Sequence, residues 1–232
     1  MTIQLHVWPT PNGHKVSIAL EEMGLAYDVH PVDIGKGDQF KPDFLKISPN
    51  NRMPAIVDPD GPDGKPITLF ESGAILIYLA DKTGKFRPRD QATWYTHIQW
   101  LMWQMGGVGP MFGQAGHFMF YAPEQIPYGV ERYGNEAKRL MKVADTRLGE
   151  ARFLGGDEYG IADMATFPWL RLHERYGITT SDYPNVKRWI DEIAARPAVH
   201  RGLDLLKDSA RPAGQPLSDE ERENMFGKKQ QG

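Results

Sequence analysis

The feature that most constrains this chain is a change of rhythm near residue 84. Ile3 to Trp8 reads as a strand, with β-formers and polar residues partly alternating. Pro9-Thr10-Pro11-Asn12-Gly13 is dense in turn residues. Val16, Ala19, Leu20 and Met23 then fall at helical spacing, and Gly24 supplies the stop. Tyr27 to Val32 returns to strand character, closing a strand–helix–strand unit whose crossover is expected to be right-handed. A short helix is expected over Pro42–Lys46. Strands are expected at 53–58 and 67–70, joined by the turn-forming run DPDGPDGKP. A helix follows over Glu71–Lys82, with Ala74, Ile75, Tyr78 and Leu79 on one stripe. The order is βαβ–α–ββα.

Beyond this point no comparable strand signal occurs. Trp94, Ile98, Leu101, Met102 and Met105 keep helical spacing, as do Ala137, Leu140, Met141, Ala144 and Leu148, and later Val186, Trp189, Ile190 and Ile193. The expected fold class is an α/β domain over 1–84 followed by an all-helical bundle over 90–206. The run TGKFRPRD marks the boundary. Residues 207–232 are polar and poor in core residues, and read as an extension, docked or mobile.

Composition excludes several classes. Apolar residues make up 41% of the 232 positions, enough for a core. The net charge of −3 argues against a dedicated nucleic-acid binder. The start MTIQLHVW lacks the features of a signal peptide, and no run approaches ~18 apolar residues, so neither export nor a membrane span is expected. The chain has no cysteine, so it offers no disulfide, thiolate metal site or thiol nucleophile of its own. That absence fits a reducing cytoplasm. The seven histidines show no metal-binding spacing, and no metal is expected.

Local motifs narrow the reading. PTPNGHK stands at the first strand–helix turn and DIGKGDQF in the next loop; SPNNRMPAIVD precedes the third strand, and LFESGAILIYLADKTG spans the last helix of the first half. WLMWQMGGVGPMFGQ, IPYGVERY and LGGDEYGIADMATFPW follow in the helical half. Over roughly residues 3–205 this set resembles the glutathione transferase family, and within it the bacterial nu-class branch related to the Ure2-like proteins. The resemblance implies a thioredoxin-like N-terminal domain with an all-helical C-terminal domain. It also implies glutathione or glutathione disulfide as bound co-substrate, a cytoplasmic homodimer, and disulfide-bond reductase activity with two glutathiones, or one glutathione disulfide, in each site.

Each site residue has a plain structural role beside the one the resemblance implies. A cis bond is cheap only before proline, so Met53-Pro54 can turn the Met53 N–H and C=O outward to pair with a peptide-like ligand. Glu71 and Ser72 open a helix, whose unpaired N–H groups favour a carboxylate. The resemblance assigns Ser72 to the γ-glutamyl carboxylate and Glu71 to the neighbouring ammonium; otherwise they are a helix start. Gln39 is implied in contact with the glycyl carboxylate or backbone, and is otherwise a loop amide. Asn51 and Arg52 stand just before the cis-proline turn, where Arg52 meets a ligand carboxylate or is a surface Arg. Arg132 is implied as an anchor for a second glutathione, and is otherwise a helix-surface ion-pairing residue.

The catalytic question lies in Pro9–Asn12. No Tyr, Ser or Cys stands there; Thr10 carries the hydroxyl and Asn12 an amide, and the nearest Ser is Ser17. Lowering a thiol pKa from ~8.5 to ~7 needs ~2 kcal/mol of thiolate stabilisation, and one hydrogen bond to a charged group gives ~1.5–3 kcal/mol. The resemblance ranks Thr10 first and Asn12 second for this task; both are also good turn and cap residues. The second substrate is expected to be a small disulfide, a peroxide or an electrophile. Two other readings compete with the reductase: a conventional transferase conjugating electrophiles, and a non-enzymatic binding or regulatory protein. The Gly106–Pro110 run is read as a bend in a long helix over the site. Gly160 replaces the hydroxyl residue of a Gly160-Ile161-Ala162-Asp163 capping box, and Gly160→Ser is expected to raise stability without changing turnover.

Overall fold

β1 (Ile3–Val7) buries Ile3, Leu5 and Val7 and pairs on both edges. It runs parallel to β2 (Tyr27–Pro31) and antiparallel to β3 (Ala55–Asp58). β3 in turn pairs antiparallel with β4 (Ile67–Phe70), giving the order β2–β1–β3–β4. The computed structural model from which this is read describes residues 2–212 and 215–231. α1 (Pro11–Met23) crosses from β1 to β2, a short α2 (Pro42–Ile47) precedes β3, and α3 (Ser72–Thr83) follows β4. This is the expected thioredoxin-like βαβ–α–ββα unit.

α1 begins at Pro11, five residues before Val16 opens the apolar stripe that reveals it in the sequence. Thr10 is its N-cap in extended geometry, and proline suits the first helical position because its missing N–H would be unpaired there. Gly13 is required by a close approach: a Cβ there would lie 2.2 Å from the Trp8 carbonyl oxygen. The helix start is thereby pressed onto the end of β1.

The second half is helical. α4 (Gln91–Trp103) and α5 (Gly109–Gly116) are separated by a π-helical turn at Gln104–Val108, which overlaps the glycine run. A second π-helical turn, His117–Tyr121, ends α5. α6 (Pro127–Glu150), α7 (Ile161–Leu170), α8 (Pro184–Ala194) and α9 (Pro197–Asp204) complete the bundle. One apolar core joins Leu5, Val16 and Leu79 to Leu101, Phe112, Met141 and Trp189. Each such side chain contributes about 1.5–3 kcal/mol on burial, so sheet and bundle stabilise one another. Val32, Phe44 and Ala55 form a smaller cluster. Among the described residues no helix is long and apolar enough to cross a membrane.

One sequence expectation changes, at Gly160. The box at α7 keeps one arm: Asp163 Oδ2 accepts from the Gly160 N–H at 3.0 Å. Gly160→Ser cannot be the simple gain expected, because a Cβ at Gly160 would lie 2.2 Å from the His97 ring. The glycine is there to admit His97. Asp163 also accepts from Leu154 N–H and from the Trp189 indole, at 2.9 and 2.8 Å. Burial lifts its carboxyl to about 6 against these hydrogen bonds.

The C-terminal segment, for which docked and mobile states were both open, is docked. α10 (Asp219–Phe226) starts at a full capping box between Ser218 and Glu221. Arg222 donates to the Tyr121 carbonyl, and the Phe226 ring packs edge-on against His117 at 4.8 Å. Asn224 is buried and donates to the Gly35 carbonyl at 2.7 Å.

Candidate functional site

A cavity of about 780 Å³ lies where the N-termini of α1 and α3, the turn before β3, α5 and the C-terminal segment meet. Met53, Pro54, Asn51, Arg52, Gln39, Glu71, Ser72 and Asn12 all line it. The structure thus brings together most of the residues singled out in the sequence.

The Met53–Pro54 peptide bond is cis, as expected. Glu71 caps α3 with φ +69°, a left-handed conformation rare outside glycine. Strained backbone of this kind persists where the surroundings over-determine it, often at ligand sites. No side chain caps α3, so the N–H groups of its first turn keep their hydrogen-bonding capacity. Ser72, the first residue of the helix, is buried and places Oγ 3.6 Å from Met105 Sδ.

At α1 the two candidates separate. Thr10 Oγ1 accepts from the Gly13 N–H at 3.3 Å and lies 3.7 Å from Met53 Sδ. Thr10 is not among the lining residues, and its hydroxyl works as the helix cap. Asn12 does line the cavity, and its Oδ1 accepts from the Trp169 indole at 3.1 Å. An indole only donates, so the carbonyl end of the Asn12 amide faces Trp169 and its NH₂ remains to donate elsewhere. Of the two, Asn12 is the one that faces the cavity. Ser17 is spent elsewhere, donating to the Gly202 carbonyl at 2.7 Å.

Gln39 is buried, with Nε2 donating to the carbonyls of Ile34 and Asn224 at 3.2 and 2.9 Å. Two carbonyl partners fix the amide's orientation, and Oε1 is left buried without a partner. An acceptor cannot hold a carboxylate, so of the two expected contacts only the one to a ligand N–H fits. Arg52 stands exposed at the rim, bonded to Asn51 Oδ1 at 2.9 Å and to Gln230 Oε1.

Arg132 is not brought to this cavity. It is exposed on α6, and its charge helps hold the Glu136 carboxyl below its usual value, behind the hydrogen bond from Arg139. That is the helix-surface role left open in the sequence.

Sequence reasoning missed six contributors. Lys15 lies one turn after Asn12 on the same face of α1, lines the cavity and is 1% exposed. The (i, i+3) spacing within PTPNGHK was the available signal. Trp169 and Met105 come from distant helices, and Met225, Phe226 and Gln230 from the C-terminal segment. Nothing in the sequence ties these to the first 84 residues. Among the described residues no group of three His, Asp or Glu side chains could hold a metal ion.

Residues 10–82 match the family model described as the glutathione S-transferase N-terminal domain, and residues 110–197 match that of the C-terminal domain. The chain is 50% identical over 202 residues to the disulfide-bond oxidoreductase YfcG of Escherichia coli strain K12, covering 87% of this chain and 94% of that protein. A glutathione transferase from Burkholderia graminis, solved with two glutathione molecules per subunit, is 52% identical with a TM-score of 0.86, covering 89% of each chain. One from Pseudomonas putida, solved with one glutathione disulfide per subunit, is 48% identical with a TM-score of 0.85, covering 88% of this chain and 92% of that one.

Proposed function

The chain belongs to the glutathione S-transferase family, and we propose that it is a glutathione-dependent disulfide-bond reductase that borrows its thiols from bound glutathione. The observation that carries this reading is a cavity built for a peptide thiol in a protein without cysteine. Its volume lies toward the upper end of the ~300–1,000 Å³ usual for small-molecule sites, which suits two tripeptides or one disulfide-linked pair. Residues 1–84 supply the tripeptide site; residues 90–206 and the C-terminal segment wall it.

The first glutathione lies along the Met53 edge, pairing its cysteinyl N–H and C=O with that backbone as a short added strand. Its γ-glutamyl end meets Ser72 and the N-terminus of α3, and Glu71 neutralises the ammonium. Its glycyl N–H reaches Gln39 Oε1, and Arg52 faces its terminal carboxylate at the rim. The Asn12 NH₂ donates to the sulfur at the N-terminus of α1, where donors favour thiolate over thiol.

The chemistry is thiol–disulfide exchange. The glutathione thiolate attacks one sulfur of a small disulfide, forming a mixed disulfide and releasing a thiolate that takes up a proton. The second glutathione, deprotonated, attacks the glutathione sulfur of that mixed disulfide. Glutathione disulfide forms and the second substrate thiol leaves. Two glutathiones are oxidised and one disulfide is reduced. Arg132 is carried forward as an anchor of this second molecule only where a neighbouring subunit brings it to a site. A cytoplasmic homodimer fits this reading, with Tyr95 and Met102 of α4 left exposed for a partner.

The test compares turnover of 2-hydroxyethyl disulfide with conjugation of chlorodinitrobenzene, both at millimolar glutathione. Disulfide reduction is expected to exceed conjugation by orders of magnitude, with weak transferase and peroxidase rates. Conjugation at the higher rate would make this a conventional transferase. Glutathione binding without either turnover would make it a binding protein.

A further inference from the structure

Lys15 is withdrawn from water among neutral groups. Its ammonium donates to Gln104 Oε1 at 2.6 Å and lies 3.4 Å from Ser72 Oγ and 3.5 Å from Met105 Sδ. None of the three carries charge. An ammonium buried without an anion is costly, because water's solvation is lost and nothing of opposite sign replaces it. Yet Lys15 borders an open cavity, beside a helix N-terminus that no side chain caps. An ammonium, a hydroxyl and unpaired N–H groups converge there, which is the donor set for a carboxylate.

Among the described residues, most charged groups packed around α1 are engaged elsewhere. Glu71, at the start of α3, is the anion whose field reaches Lys15, and it too lines the cavity. Asp163 on α7 is fully buried under its own three donors. Arg196, just before α9, and Arg201, within it, pair with Glu22 and Glu21 at the far end of α1. His14 and His6 favour the neutral form through burial. Glu71 and Lys15 together therefore present one anion and one cation to the cavity, a match for the zwitterionic head of an α-amino acid.

We propose that Lys15 is a binding residue, the cation that pairs with the α-carboxylate of the γ-glutamyl group, with Ser72 and the α3 N-terminus completing the cradle. The assignment rests on the glutathione reading above and adds a charge to it. It also couples binding to protons. Burial lowers the free Lys15 pKa to about 7, with Glu71 opposing. Above that pH the free protein holds Lys15 largely neutral. Pairing with a carboxylate favours the ammonium, so glutathione binding takes up a proton there.

The experiment uses two ligands that differ only at that carboxylate: glutathione and 4-aminobutyryl-cysteinyl-glycine. Calorimetry on the wild-type protein at pH 8, in buffers of different ionisation enthalpy, gives affinity and proton uptake for each. Glutathione is expected to bind about tenfold or more tightly than the analogue, with about half a proton more taken up. Protons released by the shared thiol cancel in this difference. In K15M the preference for glutathione should fall severalfold, keeping only the part that Ser72 and the α3 N–H groups supply, since the cycle isolates the Lys15–carboxylate pair. A preference undiminished in K15M, or equal proton uptake for both ligands in the wild type, overturns the assignment and leaves the glutathione reading standing. The wild-type comparison decides even where K15M folds poorly. No binding of either ligand to the wild-type protein sinks the glutathione reading and the assignment with it.

Discussion

The Trp169 indole N–H donates to Asn12 Oδ1 at 3.1 Å, joining the helical half to the first turn of α1 across 157 positions of chain. The bond fixes which end of the Asn12 amide remains a donor. Asn12→Ala is therefore expected to lower kcat/KM for 2-hydroxyethyl disulfide about a hundredfold, the scale seen when one positioned anion donor is removed. Trp169→Phe should fall between this variant and the wild type, because the amide is present but unoriented. Steady-state kinetics with circular dichroism as a fold control checks both.

Thr10 acts as a cap, so Thr10→Ala is expected to cost about 1 kcal/mol of stability, and Thr10→Ser much less. Turnover should drop less than in Asn12→Ala. Denaturant melts and kinetics on the same preparations separate the two roles. A larger loss of turnover in Thr10→Ala than in Asn12→Ala would return Thr10 to first place as the sulfur's partner.

His14 supplies a pH dependence. Both ring nitrogens are buried without partners, and burial, then the Arg171 charge, lowers its pKa from 6.5 to about 4. Between those values the unfolded chain binds the proton and the folded one does not. Stability due to this group is complete above pH 6.5 and is lost as pH falls toward 4, by up to about 3 kcal/mol. His14→Gln should flatten that part of the stability–pH curve in urea melts at fixed ionic strength. An unchanged slope would assign the acid sensitivity to other groups, His6 among them.

Gly160→Ser is expected to destabilise by about 1–3 kcal/mol, the usual cost of overpacking a closed site. His97→Ala should relieve much of that loss in the double variant, since the added Cβ would meet the imidazole. Thermal melts of the two single variants and the double variant give the coupling.

Truncation after Leu206 removes the Asn224 carbonyl from Gln39 and the Asn224 amide from Gly35. The loop over Asp33–Phe40 then loses its clamp. Glutathione affinity is expected to fall about tenfold, the worth of one or two hydrogen bonds. Calorimetry on the truncated chain measures it, and unchanged affinity would show that the segment only covers the site.

The first half of the fold was legible because its signals are local. Period-2 runs, a glycine stop after Met23 and the turn-rich run before Ile67 need no knowledge of distant residues. The start of α1 is harder to place because Pro11 and Asn12 carry no apolar stripe, only cap chemistry. Most of the site was legible for the same reason: Asn12, Met53, Pro54, Glu71 and Ser72 sit at element ends whose backbone groups are free. Which end of the Asn12 amide is left to donate was not, because it depends on Trp169. Lys15 stood inside a quoted motif, but its significance comes from burial, and burial depends on Gln104 in the other half. Gly160 looked like a weak cap until His97 was seen beside it. The contribution of Met225, Phe226 and Gln230 was hidden because a polar segment gives no periodic sign of where it docks.

Three thioether sulfurs, from Met53, Met105 and Met225, line the cavity of a chain that has no thiol. Oxidants cannot drive such a protein up the irreversible sulfinic and sulfonic steps that retire cysteine enzymes. Its point of wear is the thioether instead. A sulfoxide at Met105 would set a polar S=O beside Ser72 and Lys15, damage that methionine sulfoxide reductases can undo. The trade places oxidative ageing of this site on a repairable atom.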